Sequence, residues 1–216
     1  METNVDQSST AEGQFLLDLG GPDSVARSRR RRNASRRILP AQRAFFAVMP
    51  EPDEVGGLTP RVTGVCDNAG VHGGRLAPER WHMSLFGIDE GDEIADDVFA
   101  FGDTLAAKVS MPAFDLMFDR ATSFGPPQVE AKMPFVLRGD EGVEGARILH
   151  DQLLDSLLQG GPRMSFEPHM TLAYSWSHVP EHVVPPVRWR AKSFVLIQSF
   201  VGETRYVIRG RWPLNG

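Results

Sequence analysis

The sequence predicts an α+β fold: two pseudo-symmetric lobes of antiparallel sheet with helices packed outside, each lobe contributing one His-x-(Thr/Ser)-x strand to a central cleft. Three observations point there. "HMSLFG" begins at His82 and "HMTLAY" at His169, so the chain writes His-Met-(Ser/Thr)-Leu twice. Their separation is far longer than a unit that stacks many times, which favours two related halves over a solenoid. Strand and helix patterns mix around both copies with several short connections, and the chain of 216 residues, 41% hydrophobic and 24% charged, is long enough to bury a core.

Taken in order, residues 1–40 are rich in Ser, Gly, Asp and Arg, with "QFLLDL" (14–19) as their one apolar island, and read as a disordered Arg-rich extension. The run "RSRRRRNASRR" (27–37) suits either contact with RNA or another polyanion, or a solvated tether. The bilobal domain is expected over 41–216. It opens with "AFFAVMP" (44–50), a buried strand closed by proline. A helix follows over 52–68, although Gly-Gly and Pro60 blur its limits. "WHMSLFGI" is the next strand, and the spacing of Ile94, Val98, Phe99, Leu105 and Val109 predicts a helix over 92–109.

Two neighbouring antiparallel strands are expected at 113–124 and 134–139, separated by Gly125-Pro126-Pro127. The clearest helix spans 144–161, with Ile148, Leu149, Leu153, Leu154 and Leu157 on one side and Gly-Gly beyond its end. "HMTLAYSW" is a strand, and "KSFVLIQSFVG" with "TRYVIRGRWPL" should close the fold as a hairpin, Trp189 and Trp212 serving as packing residues.

Charge and cysteine content narrow the function classes. Residues 1–40 hold seven arginines against five acids, whereas the rest of the chain holds 16 basic against 23 acidic groups. So acidic a body argues against gripping long nucleic acid through many phosphates and for a short end or small nucleotide. The single cysteine, Cys66, precludes an internal disulfide and suits the cytoplasm. No apolar run of about 18 residues exists to span a bilayer, and the N-terminus lacks the basic-then-apolar order of a secretory signal, so no membrane partner is expected.

In a strand, residues i and i+2 share a face. His82 and Ser84 therefore point one way and Met83 and Leu85 the other; His169 and Thr171 repeat this against Met170 and Leu172. Each motif sets an imidazole beside a hydroxyl. With an unperturbed pKa of ~6.5, one imidazole can accept a proton while the other, protonated, donates one. Hydroxyls can hydrogen-bond phosphate oxygens, so the inventory suits phosphodiester chemistry. The remaining histidines, His72, His150, His178 and His182, are scattered, and neither a metal site nor another cofactor is expected. Trp81 and Phe86 beside the first motif, and Phe166 and Tyr174 beside the second, are candidates for stacking on a base.

These motifs and their flanks, "FFAVMP", "LAPERWHMSLFG", "FDRATSFGPP", "FEPHMTLAY" and "YVIRGRWPL", resemble the 2H phosphoesterase superfamily, and within it the LigT-like group of 2′-5′ RNA ligases and RNA 2′,3′-cyclic phosphodiesterases. The resemblance covers residues 44–214. It implies a hydrolase that opens a 2′,3′-cyclic phosphate, on an RNA end or a nucleotide, to a 2′-phosphate, with slow reverse ligation in some members; the chain itself is expected to be a monomer that needs no cofactor. His82 and His169 would be the acid/base pair, and Ser84 and Thr171 the phosphate contacts. His82 is assigned as acid and His169 as base, an order the sequence by itself does not fix. Two positions depart from the group: Glu167 and Tyr174 stand where relatives often carry arginine, leaving Arg163, Arg205 and Arg209 as candidate replacements. Two other readings stay open: a non-catalytic module that binds nucleotides or RNA ends, and a phosphodiesterase for small cyclic or 2′-5′ linked nucleotides.

Overall fold

The computed structural model describes residues 41–127, 131–158 and 165–215. The extension 1–40 and the end of the helix expected to reach 161 lie outside the described residues. Among the described residues eight strands form two four-stranded sheets. The first, ordered β2-β1-β7-β8, comprises β2 (Met83–Gly91), β1 (Gln42–Val48), β7 (Ser193–Phe200) and β8 (Arg205–Pro213). The second, ordered β5-β4-β3-β6, comprises β5 (His169–Ser175), β4 (Met133–Arg138), β3 (Phe114–Ser123) and β6 (His182–Ala191). Every pairing is antiparallel. Each motif strand is the edge of its own sheet, and β2 and β5 meet where the sheets join.

The helices cover the sheets crosswise. α1 (Pro52–Asn68) packs on β5 and β6 of the second sheet although it follows a strand of the first. Its start is set by Pro52 in the first turn and by Glu54, whose carboxylate accepts the Glu51 backbone N–H at 3.2 Å. The helix runs through Pro60, which removes one backbone hydrogen bond without ending it. α2 (Asp96–Ala106) packs on β2 and β8 and is shorter than the periodicity over 92–109 suggests. Ile94 is buried without belonging to it. α3 (Glu144–Leu158) lies against α2, β2 and β3, and so touches both sheets.

One apolar core runs between helices and sheets, containing Phe46, Met83, Leu85, Leu137, Leu149, Met170, Leu172 and Phe194. A small second cluster, Phe45, Ala47, Val195 and Ile197, lies on the opposite face of the first sheet with Met49 and Tyr206 packed against it. β7 contributes to both clusters, which explains its unbroken apolar run.

Strand β6, "HVVPPVRWRA", is the element the sequence reading lacks. Pro185 and Pro186 argue against a strand, yet β6 is a sheet edge, where missing N–H groups cost no ladder bond on the open side. The register jumps from Phe118↔Val187 to Arg120↔Val183, so the prolines sit in an irregularity of the ladder.

Candidate active site

Both motifs are built alike. His82 immediately precedes β2 and His169 is the first residue of β5. Met83, Leu85, Met170 and Leu172 are buried, anchoring each strand, while His82, Ser84, His169 and Thr171 keep partial exposure. Across from them Ala47 pairs with Ser84 and Phe46 with Phe86, which leaves Leu85 unmatched in the register. In the second sheet Val136 pairs with Thr171 and Phe135 with Ala173, which leaves Leu172 unmatched in the same way. Each motif thus carries a bulge at the same leucine, which breaks the alternation just after the hydroxyl residue.

The bulge corrects one expectation. Simple alternation would put Phe86 on the face of His82 and Ser84, but beyond Leu85 the phase shifts and Phe86 enters the core against Phe46, 2% exposed. Trp81 is 3% exposed within the same core. Neither offers a ring face to a base. Phe166 is also engaged, its ring parallel to that of buried His150 at 4.3 Å. Tyr174 remains, 45% exposed, on the stretch of β5 whose outer edge is covered by the loop Gly74–Leu76 through Tyr174 N–H to Gly74 O at 2.9 Å and Leu76 N–H to Leu172 O at 2.8 Å. Gly74 has φ +69°, and a Cβ there would stand 2.1 Å from the Tyr174 carbonyl oxygen, so the approach requires glycine.

The two imidazoles are held identically. His82 Nδ1 lies 2.8 Å from the carbonyl oxygen of Arg80, and His169 Nδ1 lies 2.8 Å from that of Glu167. A carbonyl only accepts, so each Nδ1 carries the proton and donates it, which puts the lone pair of the neutral ring on Nε2. Burial pushes both rings down from the ordinary histidine value to about 4. For His82 the Arg80 carbonyl bond opposes this, while the charges of His169 and Arg80 add to it. For His169 the added charge is Arg138. His82 therefore senses the charge of His169 across the junction of the sheets.

Aromatic and cationic groups flank both. Phe45 and Tyr206 stand 5.4 Å from His82, centroid to centroid, Tyr206 edge-on at 84°. The guanidinium of Arg80 lies over the Tyr206 ring, 4.9 Å from its centroid, and Arg80 Nη2 donates to the Tyr206 hydroxyl at 3.3 Å. On the other side Phe124 lies 4.6 Å from His169, with the Arg138 guanidinium 5.9 Å from its centroid. Arg138 is ion-paired to both Glu167 and Glu181.

Of the replacement arginines suggested by sequence, Arg205 pairs with Glu203 over Phe200, and Arg209 donates to Gln198 over Phe99. Arg163 lies outside the described residues. The cations beside the histidines are Arg80 and Arg138. Sequence offered a signal for the first, which sits two residues before His82, but none for the second, which reaches His169 only through the pairing of β4 with β5.

A profile of the 2′-5′ RNA ligase superfamily matches residues 69–199, more than half of the chain and both motifs. The chain belongs to that superfamily, the 2H phosphoesterases. Solved structures agree on the fold. LigT of E. coli in complex with 3′-AMP is 22% identical at a TM-score of 0.58, over 81% of this chain and 99% of that one. The same enzyme in complex with phosphate is 23% identical at 0.58, over 83% and 100%. TT0787 of Thermus thermophilus is 18% identical at 0.60, over 81% and 98%. No protein of curated function matches this 2H phosphoesterase in sequence. Among its described residues no helix is long and apolar enough to cross a membrane, and no three His, Cys, Asp or Glu side chains stand together as a metal-binding group.

Proposed function

We propose that this protein hydrolyses a 2′,3′-cyclic phosphate, on an RNA end or a small nucleotide, to a 2′-phosphate. The observation that carries this is the duplicated imidazole: two half-buried rings, each with Nδ1 on a backbone carbonyl two residues back, His82 lying within reach of the charge of His169. One Nε2 takes a proton from water as the water oxygen bonds to phosphorus. The other, protonated, gives its proton to O3′ as the P–O3′ bond breaks. His169 serves as base and His82 as acid in this scheme. Ser84 and Thr171 donate to the nonbridging oxygens, and Tyr174 lies at the rim for the nucleotide.

With both rings lowered to about 4, the free enzyme at neutral pH holds them neutral. The phosphodiester anion supplies what is missing: a negative charge beside an imidazolium favours the protonated form, so substrate binding itself loads the acid. The same groups allow weak 2′-5′ ligation: the 5′-hydroxyl of a second strand takes the place of water, gives its proton to one Nε2 as its oxygen bonds to the phosphorus of the 2′,3′-cyclic phosphate, and O3′ leaves with the proton of the other. Support comes from superfamily membership and from the nucleotide and phosphate complexes of the similar LigT fold.

The test is turnover over a panel of nucleoside 2′,3′-cyclic phosphates, short RNAs with cyclic ends and 2′-5′ dinucleotides, with and without EDTA. The expected result is release of 2′-phosphates, undiminished by EDTA, because the motifs supply both proton transfers. Binding without turnover across the panel would favour the non-catalytic module. Turnover confined to 2′-5′ dinucleotides would favour the small-nucleotide enzyme.

A further inference from the structure

The two arginines beside the site differ in one respect: what balances their charge. Arg138 is held by the carboxylates of Glu167 and Glu181, which neutralise it. Among the described residues Arg80 has no carboxylate partner and its buried Nε no hydrogen-bond partner; the guanidinium lies on the face of Tyr206 and donates one hydrogen bond to that phenol. A guanidinium offers five donors in a planar fork suited to phosphate, and among the described residues Arg80, which is half-buried, spends one hydrogen bond of that fork, on Tyr206.

Its position says which phosphate. His82 turns Nδ1 to the carbonyl of Arg80, so Nε2, the nitrogen that must address the reacting phosphate, leaves the ring on the opposite side. Tyr206 touches both partners, edge-on to the imidazole and face-on to the guanidinium. The guanidinium carbon lies 4.9 Å and the imidazole centroid 5.4 Å from the Tyr206 ring centroid, so cation and imidazole belong to one cluster that a nucleotide carrying two phosphates can span.

We propose that Arg80, braced by Tyr206, is a subsite for a second phosphate: the 5′-phosphate of the nucleotide whose 2′,3′-cyclic phosphate reacts. The preferred substrate class is then an RNA end or a 5′-phosphorylated nucleotide, and a nucleoside cyclic phosphate lacking that group is the poorer ligand. This rests on the reaction proposed above for its choice of substrate, but its test does not depend on turnover.

The experiment is calorimetric titration of the full chain with adenosine 2′,5′-bisphosphate and adenosine 2′-monophosphate, product-like ligands that differ by the 5′-phosphate alone. Wild type should bind the bisphosphate about tenfold more tightly or better, and Arg80→Gln should erase most of that ratio, as expected for a charged hydrogen-bonded contact. Arg80→Lys, which keeps the charge and loses the fork, should retain part of it, and carries the test where Arg80→Gln melts early. A wild type with no preference, a ratio unchanged in both variants, or equal weakening of both ligands would overturn the subsite. If wild type opens no cyclic phosphate yet shows the preference and loses it with Arg80→Gln, the subsite stands and the proposed reaction falls.

Discussion

The His82 half and the His169 half share a scaffold and differ in charge. Both present the imidazole at the start of an edge strand, fix Nδ1 on the carbonyl two residues back, and place a bulge at the leucine that follows the hydroxyl. The residue lending that carbonyl is Arg80 in one half and Glu167 in the other. On the adjacent strand Arg138 stands across from His169, while the matching place beside His82, one residue beyond the Val48↔Met83 pair, belongs to Met49. Acid–base catalysis needs two similar groups doing opposite things at one moment. The shared scaffold makes the rings alike, both lowered to about 4, while the groups around them differ: an arginine without a carboxylate partner among the described residues stands at His82, and an arginine paired with two carboxylates at His169.

The strongest way to break this comparison is to remove one ring at a time. His82→Ala and His169→Ala should each lower kcat by ~10² to 10⁴, the usual worth of a positioned proton transfer, while circular dichroism stays that of wild type. Near-normal turnover in one of them would reduce that half to scaffolding. Ser84→Ala and Thr171→Ala should cost less, on the order of tenfold each, as expected for one hydrogen bond to a charged group. A much larger loss at one hydroxyl than at the other would show that the halves do not share the phosphate evenly.

A smaller effect lies in stability. The folded rings titrate at about 4, whereas an unfolded histidine titrates at ~6.5, so between those values the unfolded chain binds more protons. Stability should therefore fall as pH drops from about 6.5 to about 4, by at most about 1.4 kcal/mol per pKa unit for each ring. His150, also lowered by burial, acts in the same sense. Melting temperatures across this range should drop less steeply in His82→Gln and in His169→Gln than in wild type. A steeper drop in either variant would mean that its ring is protonated in the fold.

Much of this is legible in the sequence, for physical reasons. The repeated His-Met-(Ser/Thr)-Leu exposes alternation directly: methionine and leucine go to the core and the polar pair stays accessible. The run of β7 is equally plain, and so is the apolar stripe of α3 at Leu149, Leu153, Leu154 and Leu157, whereas Ile148, expected on the same side, is 46% exposed. What does not show depends on long-range pairing. β6 carries two prolines and becomes a strand only because β3 offers an edge. The turn of Phe86 into the core escapes the sequence because a bulge is a mismatch between two strands and leaves no trace in one of them. Arg138 becomes a neighbour of His169 only through the ladder, and Arg80 meets Tyr206, rather than a carboxylate among the described residues, only once β8 is in place.

The central claim is that the two halves act as one catalytic unit. It is tested most directly by a double-mutant cycle on turnover of a nucleoside 2′,3′-cyclic phosphate, comparing His82→Ala, His169→Ala and the double variant with wild type. Groups that transfer protons in the same step are grossly non-additive, so the double variant is predicted to be about as slow as each single one. Losses that multiply, with the double variant slower by the product of the two single effects, would show that the imidazoles act independently and would contradict the account.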